Sequence, residues 1–390
     1  MLQTITNARI ITPTENFIGT VRIAEDTIVD IEKTIEIYKD AIDVKQQWLA
    51  PGCIDIHSDY IEKELHPRPS ANFPMPLAFH FMDQRAAACG ITTLFSAISF
   101  SSNENAKRSY EGALEMSRSF DALAESGLVR HFIHSRLDPN SNKVVDYLEE
   151  MKTIKSLKMV VVNESIPGQR QFRLEEIIEK RAKSFGYSVE EYREIVLKEI
   201  EEKSQIDKRQ EIQEAFENII PLGSHDDTTI AHVEEAKHFG ATLSEMPTTI
   251  GAARKAKELD MWVCMGAPNY YRGGSHCGNL SCSDAIQEDL VDMLCSDYHF
   301  PTMLSAVIRM IEDGFSPSKA INFVSLNPAK FLNMDDEIGS IEVGKKADLV
   351  CFDSSKGFAR VSNVWVNGSL KLTAETATVQ HRVIEPEKIS

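Results

Sequence analysis

Eight short apolar runs alternate with longer amphipathic stretches between residues 52 and 297. This alternation is typical of parallel βα units, and eight such units predict an α/β fold of the (β/α)8 barrel type. After the fourth run, residues 173–220 carry apolar side chains at helical spacing among Glu and Lys, which predicts two or three inserted helices. The predicted barrel strands are 52–57, 92–98, 129–135, 158–162, 222–225, 241–245, 261–265 and 290–297.

Both ends of the chain have another pattern. β-Branched residues alternate with polar ones within residues 1–50, and the alternation resumes after residue 338, with a hairpin turn predicted at Asn367 and Gly368. We therefore expect a discontinuous β-sandwich domain made of residues 1–50 and 338–390. It would flank a catalytic barrel of residues 51–337 that carries the helical insertion around 173–220.

Composition narrows the class of protein. A net charge of −17 over 390 residues disfavours nucleic acid and anionic membranes as partners, and no apolar run is long enough to cross a bilayer. The start of the chain lacks the features of a signal peptide, and seven scattered cysteines do not form a disulfide framework. We expect a cytoplasmic enzyme that acts on a small molecule. The sequence leaves open whether the chain forms a homo-oligomer.

Candidate metal ligands lie where predicted strands end. His57 and Asp59 are two residues apart, so on a strand their side chains point to the same side. A lone pair of this kind equally suits a solvated strand end. His225 and Asp297 end two further runs, however, and active sites of barrels lie at the carboxyl ends of the strands. Imidazole and carboxylate together suit Zn²⁺, Mn²⁺ or Fe²⁺.

Two other carboxylates follow strands. Asp138 follows the third run and Glu164 the fourth, and each is either a further metal ligand or a solvated carboxylate at the start of a loop. His134 and Arg136, on the third run, are candidates to line the barrel mouth. Asp226 or Asp227, directly after His225, is expected to orient that histidine from behind the metal.

Basic residues and glycines follow three of the predicted strands. Arginine binds phosphate through two parallel hydrogen bonds, and glycine lets backbone N–H groups approach an anion closely. Any single arginine is more often a surface residue, but three clusters at strand ends favour an anionic substrate. The candidate phosphate-binding residues are Lys63, Arg68, Arg170, Asn269, Arg272, Gly273, Gly274, Ser275 and His276.

Several motifs resemble a known family. The Pro-Gly-Cys-Ile-Asp-Ile-His run at 51–57, the Asn-Pro-Ala-Lys run at 327–330 and the Gly-Lys-Lys-Ala-Asp-Leu-Val run at 344–350 are similar to the amidohydrolase superfamily. That resemblance implies a metal-binding barrel with a β-sandwich from both chain ends. Pro-Gly-Gln-Arg-Gln-Phe at 167–172, Ser-His-Asp-Asp at 224–227 and Arg-Gly-Gly-Ser-His at 272–276 further resemble the diphosphatases of phosphonate metabolism.

The resemblance implies an activity and a cofactor. Such diphosphatases hydrolyse α-D-ribose 1-methylphosphonate 5-triphosphate to the 5-phosphate and pyrophosphate. His57, Asp59, His225 and Asp297 correspond to metal positions, with Zn²⁺ expected and Mn²⁺ or Fe²⁺ as alternatives. The chain departs from the pattern at Ser165, where the resemblance implies a histidine. Whether the chain binds one ion or two therefore stays open.

These observations lead to a hypothesis with two alternatives. Asp297 accepts a proton from the attacking water as general base, while the basic and glycine-bearing clusters neutralise the triphosphate. A second interpretation keeps the barrel and the metal but assigns hydrolysis of a C–N bond, as in deacetylases and cyclic amidases. A third, motivated by Ser165, is a metal-poor protein that only binds a substrate or a partner.

Overall fold

A computed structural model describes residues 2–68, 71–101, 108–275, 277–354 and 357–374. The first fifty residues form strands rather than helices, because β-branched residues alternate along them. β1 and β2 pair antiparallel, and so do β2 and β3, while β4 and β5 lie parallel to β1. These strands are β1 (Leu2–Ile11), β2 (Asn16–Ala24), β3 (Thr27–Lys33), β4 (Ile42–Asp43) and β5 (Trp48–Pro51).

Eight further strands form the barrel, and each neighbouring pair is parallel. The ring closes between its first and last strands, where the backbone N–H of Asp59 donates to the carbonyl of Asp297 at 2.8 Å. The N–H of Asp297 donates in turn to the carbonyl of His57 at 3.0 Å. The predicted barrel is thus confirmed. Its strands are β6 (Cys53–Ser58), β7 (Ile91–Phe100), β8 (Arg130–Leu137), β9 (Leu157–Val162), β10 (Leu222–His225), β11 (Leu243–Glu245), β12 (Trp262–Gly266) and β13 (Met293–Cys295).

Helices surround the barrel. Three of them, α5 to α7, occupy the predicted insertion, and α5 and α6 have a small apolar core of their own. Ser188 caps the start of α6 and exchanges hydrogen bonds with Glu191 in a capping box. The helices are α1 (Tyr60–Leu65), α2 (Met75–Ala88), α3 (Tyr110–Asp121), α4 (Leu148–Met151), α5 (Leu174–Phe185), α6 (Val189–Ser204), α7 (Arg209–Phe216), α8 (Ile230–His238), α9 (Ile250–Glu258), α10 (Ala267–Arg272), α11 (Cys282–Gln287), α12 (Thr302–Glu312), α13 (Pro317–Asn322) and α14 (Leu326–Phe331).

Three strands near the other end of the chain complete the first sheet: β14 (Leu349–Asp353), β15 (Arg360–Val366) and β16 (Ser369–Thr373). The order is β16-β15-β14-β5-β1-β2-β3, so both chain ends build one sheet, as the predicted β-sandwich module requires. Gly52 connects β5 to β6. An added Cβ there would lie 2.1 Å from Cγ2 of Thr92, so only glycine lets the chain pass from sheet to barrel.

Two global features bear on the class of protein. Within the described ranges, no helix combines the length and the apolar character that a bilayer crossing needs. All seven cysteines lie in those ranges, and every one is a free thiol. Five of them are buried, and burial raises the pKa of Cys351 to about 11.

Candidate active site

Three histidines surround one buried carboxylate at the carboxyl ends of the barrel strands. His57 is the last residue but one of β6, His134 lies on β8, His225 ends β10, and Glu245 ends β11. Oε2 of Glu245 lies 2.9 Å from Nδ1 of His57 and 3.7 Å from Nε2 of both His134 and His225. Glu245 is fully buried. We call these four residues the inner group.

The second nitrogen of each imidazole faces an acceptor outside the inner group. Nδ1 of His134 donates to the carbonyl of Ile56 at 3.1 Å, so its Nε2 lone pair is directed towards Glu245. Nδ1 of His225 lies 3.0 Å from a carboxylate oxygen of Asp226. Such acceptors fix the tautomer and the ring orientation of metal-binding histidines.

Two members of the inner group, Glu245 and His134, have protonation states that suit metal binding. Burial would raise the pKa of Glu245, but the surrounding histidines outweigh burial and lower it to about 2. Burial lowers the pKa of His134 to about 3. The inner group therefore offers an ionised carboxylate and at least one neutral imidazole, the forms that bind divalent ions.

A second group lies at the barrel mouth and shares His57. Its members are His57, Asp59 and Asp297, whose ligand atoms lie within 4.8 Å of one another. Nε2 of His57 is 3.5 Å from Oδ1 of Asp59, and the same oxygen is 3.0 Å from Nη2 of Arg136. Burial raises the pKa of Asp297 above its ordinary value. We call these three residues the outer group.

The residues present fit a divalent transition-metal ion. Nδ1 of His57, Nε2 of His134 and both carboxylate oxygens of Glu245 are buried, and none has a hydrogen bond to a described residue outside the inner group. Buried polar atoms without such partners are rare in proteins. Imidazole nitrogens and a carboxylate are also the donors that Zn²⁺ and its neighbours prefer.

Backbone strain marks the same strand ends. Asp226, Met246 and Asp297 adopt the left-handed conformation, with φ of 57°, 55° and 54°. Two of them directly follow inner-group residues. Aspartate tolerates this conformation, but for methionine it is costly, and such strain concentrates at functional sites. At Met246 it turns the chain sharply behind Glu245.

A cleft opens to solvent beside the two groups. Asp226 and Asp297 line it. Arg272, Gly274, Ser275 and Asn269, predicted as phosphate-binding residues, also line it. Asn269 also holds this loop in place, because its side chain bonds the backbone of Leu280 and Cys282. The structure thus brings a cationic, glycine-bearing loop to the carboxylates.

Other predicted residues lie elsewhere. Lys63 lies on α1, in a separate cavity that also includes Asp59, and Arg68 is exposed on the loop after that helix. Gly273 ends α10 in the left-handed conformation, with φ of 79°. His276 lies outside the described residues.

The predicted ligand Glu164 is engaged by arginines. One of its carboxylate oxygens accepts from Nε of Arg170 at 2.8 Å, and the other contacts Arg209 of α7. Nη1 of Arg170 donates to Asp227 at 2.8 Å. Arg170 is therefore held between two carboxylates, and Asp227 pairs with it while Asp226 alone contacts His225.

The carboxylate of Asp138 is also occupied by the chain itself. It accepts from the hydroxyl of Ser165 at 2.6 Å and from the backbone N–H of Asn140 at 3.0 Å. Ser165 accepts in turn from Nζ of Lys203 at 2.8 Å. Among the described residues, Asp138 joins neither the inner nor the outer group.

The sequence analysis did not predict Glu245 as a site residue, and it predicted His134 only as a residue that lines the barrel mouth. Glu245 carried the same signal as His225, because it ends an apolar run that was predicted as a strand. His134 lies three residues before the end of β8, so its position gave no strand-end signal.

Comparison with known proteins agrees with this geometry. A family model described as "Amidohydrolase family" matches residues 48–373, and the chain belongs to that family. The chain is 30% identical over 373 residues to α-D-ribose 1-methylphosphonate 5-triphosphate diphosphatase of Escherichia coli K12, covering 93% of this chain and 98% of that one.

More distant likenesses support the fold. The crystal structure of N-acetylglucosamine-6-phosphate deacetylase from Pasteurella multocida superposes with a TM-score of 0.63 at 13% identity, over 95% of this chain and 99% of that one. An adenine deaminase of Clostridium botulinum is 34% identical over 118 residues, which is 27% of this chain and 20% of the relative.

Proposed function

We propose that the chain is a metal-dependent diphosphatase of a phosphorylated sugar, with α-D-ribose 1-methylphosphonate 5-triphosphate as its substrate. The products would be the 5-phosphate and pyrophosphate. One observation carries the proposal: the cleft that contains Asp297 and Asp226 also contains Arg272, Gly274 and Ser275. The likeness to the Escherichia coli enzyme over 93% of this chain supports this choice of substrate.

The chain's residues divide the work. Residues of the inner group would hold the ion, which when bound supplies Lewis-acid activation of water and of phosphate oxygens. Asp297 accepts a proton at its carboxylate, since it lies in both the outer group and the cleft. Asp226 holds the ring of His225 in place through Nδ1.

The loop after β12 recognises the anion. Arg272 is exposed, with Nη1 3.3 Å from the hydroxyl of Tyr298, and can turn its guanidinium towards a polyphosphate. Gly274 has a φ of 157°, and an added Cβ would meet nothing within 4 Å of it in the described structure. A phosphate can therefore approach the backbone closely at this glycine.

The test is an assay of pyrophosphate release from α-D-ribose 1-methylphosphonate 5-triphosphate, with Zn²⁺, Mn²⁺ or Fe²⁺ added in turn. ATP is the control for a general triphosphatase, and an N-acetylated sugar phosphate is the control for C–N hydrolysis. We expect pyrophosphate from the first substrate and little from ATP. Acetate release without pyrophosphate would instead support an amidohydrolase acting on a C–N bond.

Seven free thiols suit a reducing compartment, and we place the enzyme in the cytoplasm on that ground. Cell fractionation tests this assignment. Pyrophosphate release from α-D-ribose 1-methylphosphonate 5-triphosphate is measured in the cytoplasmic fraction and in the other fractions.

A further inference from the structure

The inner and outer groups compete for His57. Its Nδ1 faces Glu245 and its Nε2 faces Asp59. A neutral imidazole has one lone pair, so this ring can ligate an ion in one of the two groups at a time. The number of ions that the chain binds thus depends on whether the outer group can recruit an ion without His57.

Arg136 already occupies the outer group as a cation. It lies on β8, its side chain is 9% exposed, and Nη2 is 3.0 Å from Oδ1 of Asp59. Its Nε and Nη2 have no hydrogen bond to any residue in the described part of the chain. The guanidinium is therefore held at this point by charge, among the carboxylates of the barrel mouth.

A second cation acts on the same carboxylates. Lys63 of α1 interacts electrostatically with both Asp59 and Asp297. The two negative charges of the outer group are thus balanced by two side chains of the protein itself. Among the described residues, no lysine or arginine forms an ion pair with Glu245, which is ringed by three imidazoles and interacts with Arg136 only at longer range.

Geometry adds a repulsion. Metal–carboxylate bonds are about 2.0–2.2 Å long, so an ion on Oδ1 of Asp59 would lie within about 5 Å of Nη2 of Arg136. Two cations at that separation, in a buried site, repel each other strongly. The oxygen that His57 and Asp59 would use to clamp an ion is the one that Arg136 covers.

We propose that Arg136 is a fixed cation that closes the outer group, so that the chain binds one divalent ion, in the inner group. Nδ1 of His57, Nε2 of His134 and a carboxylate oxygen of Glu245 are its ligand atoms. Asp59 then orients His57 through Nε2, and Asp297 stays free of metal to accept a proton. This inference deepens the proposed function and rests on it for the role of Asp297.

The test counts ions, independently of activity. The full-length protein is stripped with dipicolinate, equilibrated with Zn²⁺, passed over chelating resin and analysed by mass spectrometry of the metal. We expect one equivalent for the wild type and for Arg136→Lys, which keeps the charge. Arg136→Met is expected to bind two, and Arg136→Met with Asp59→Asn one again. Arg108→Met, which removes the nearby partner of Glu62, is the matched control and should keep one.

Single variants of the carboxylates separate the two groups even if Arg136→Met does not fold. Asp59→Asn should keep one equivalent and Glu245→Gln should lose it. Zero or two equivalents in the wild type overturn the proposal, as does loss of the ion in Asp59→Asn or a single ion in folded Arg136→Met. One ion without pyrophosphate release would refute the diphosphatase and leave the metal site standing.

Discussion

Nδ1 of His57 lies 2.9 Å from Oε2 of Glu245, and both side chains are buried at the ends of barrel strands that are not neighbours. The contact spans the barrel mouth. It makes Glu245 the point on which three histidines converge, and it leads directly to the first prediction.

Glu245→Gln should weaken metal binding about 10- to 100-fold or more, because it removes the single negative charge among the three imidazoles. Competition with a chromogenic chelator measures the affinity. Glu258→Gln is the control, since Glu258 lies on the surface of α9 and pairs only weakly with Lys255 at 3.6 Å. Equal affinities for the two variants would contradict a role of Glu245 as ligand.

Asp297→Asn should lower kcat by about 10²- to 10⁴-fold while sparing the fold. Asparagine tolerates the left-handed backbone at this position, and the hydrogen bond from the backbone N–H to His57 is kept. Pyrophosphate release and the melting temperature are measured together. A kcat within threefold of wild type would remove Asp297 from the proton-transfer step.

Arg272→Met should lower kcat/KM for the triphosphate by about 10- to 100-fold, as expected for the loss of a charge-assisted hydrogen bond of about 1.5–3 kcal/mol. Stability should not change, because the side chain is exposed and its hydrogen bond to the hydroxyl of Tyr298 is 3.3 Å long. Arg254→Met is the matched control, since Arg254 pairs with Glu288 on the surface of α9. The same loss in both variants would point to a general charge effect.

Arg170→Met should destabilise the protein by about 1–3 kcal/mol, because Asp227 loses its cation while Glu164 keeps its contact with Arg209. Urea unfolding measures the free energy. In Arg181→Met the pair with Glu199 is a third exposed, so the cost should stay below about 1 kcal/mol. An Arg170→Met variant of wild-type stability but raised KM would instead make Arg170 a phosphate ligand.

Adding Zn²⁺ to the stripped protein should raise its melting temperature, since an ion that binds only the folded chain stabilises it by about 4 kcal/mol at a thousand times Kd. Scanning calorimetry with increasing Zn²⁺ measures the shift. Glu245→Gln should show a smaller shift at each concentration. Identical shifts in both proteins would place the stabilising ion elsewhere.

The sequence located the parts of the site that follow from strand periodicity. His57 and Asp59, two apart on one strand, and Asp297, at the end of another, do lie together. His225 was placed at the correct end of the barrel, but it faces Glu245 rather than Asp59. Which strand ends meet across a barrel depends on the tilt and the register of the strands. Neither can be derived from the sequence of a single strand.

The ion pairs of the predicted carboxylates could not be predicted from the sequence. Glu164 follows a strand just as Asp297 does, and its pattern alone left a metal ligand and a solvated carboxylate open. In the structure the carboxylate of Glu164 pairs with Arg209, which lies on α7 in the helical insertion, forty-five positions further along the chain. A contact of this kind is decided by how the insertion packs, and that packing has no local sequence signal.

The strand β5 has a consequence for how the enzyme is made. Its residues pair with β1 on one side and with β14 on the other, and its chain continues through Gly52 into the strand that carries His57. During synthesis the ribosome releases residues 349–353 after the whole barrel. The segment that leads to His57 therefore gains its second neighbouring strand only after all eight barrel strands have been made.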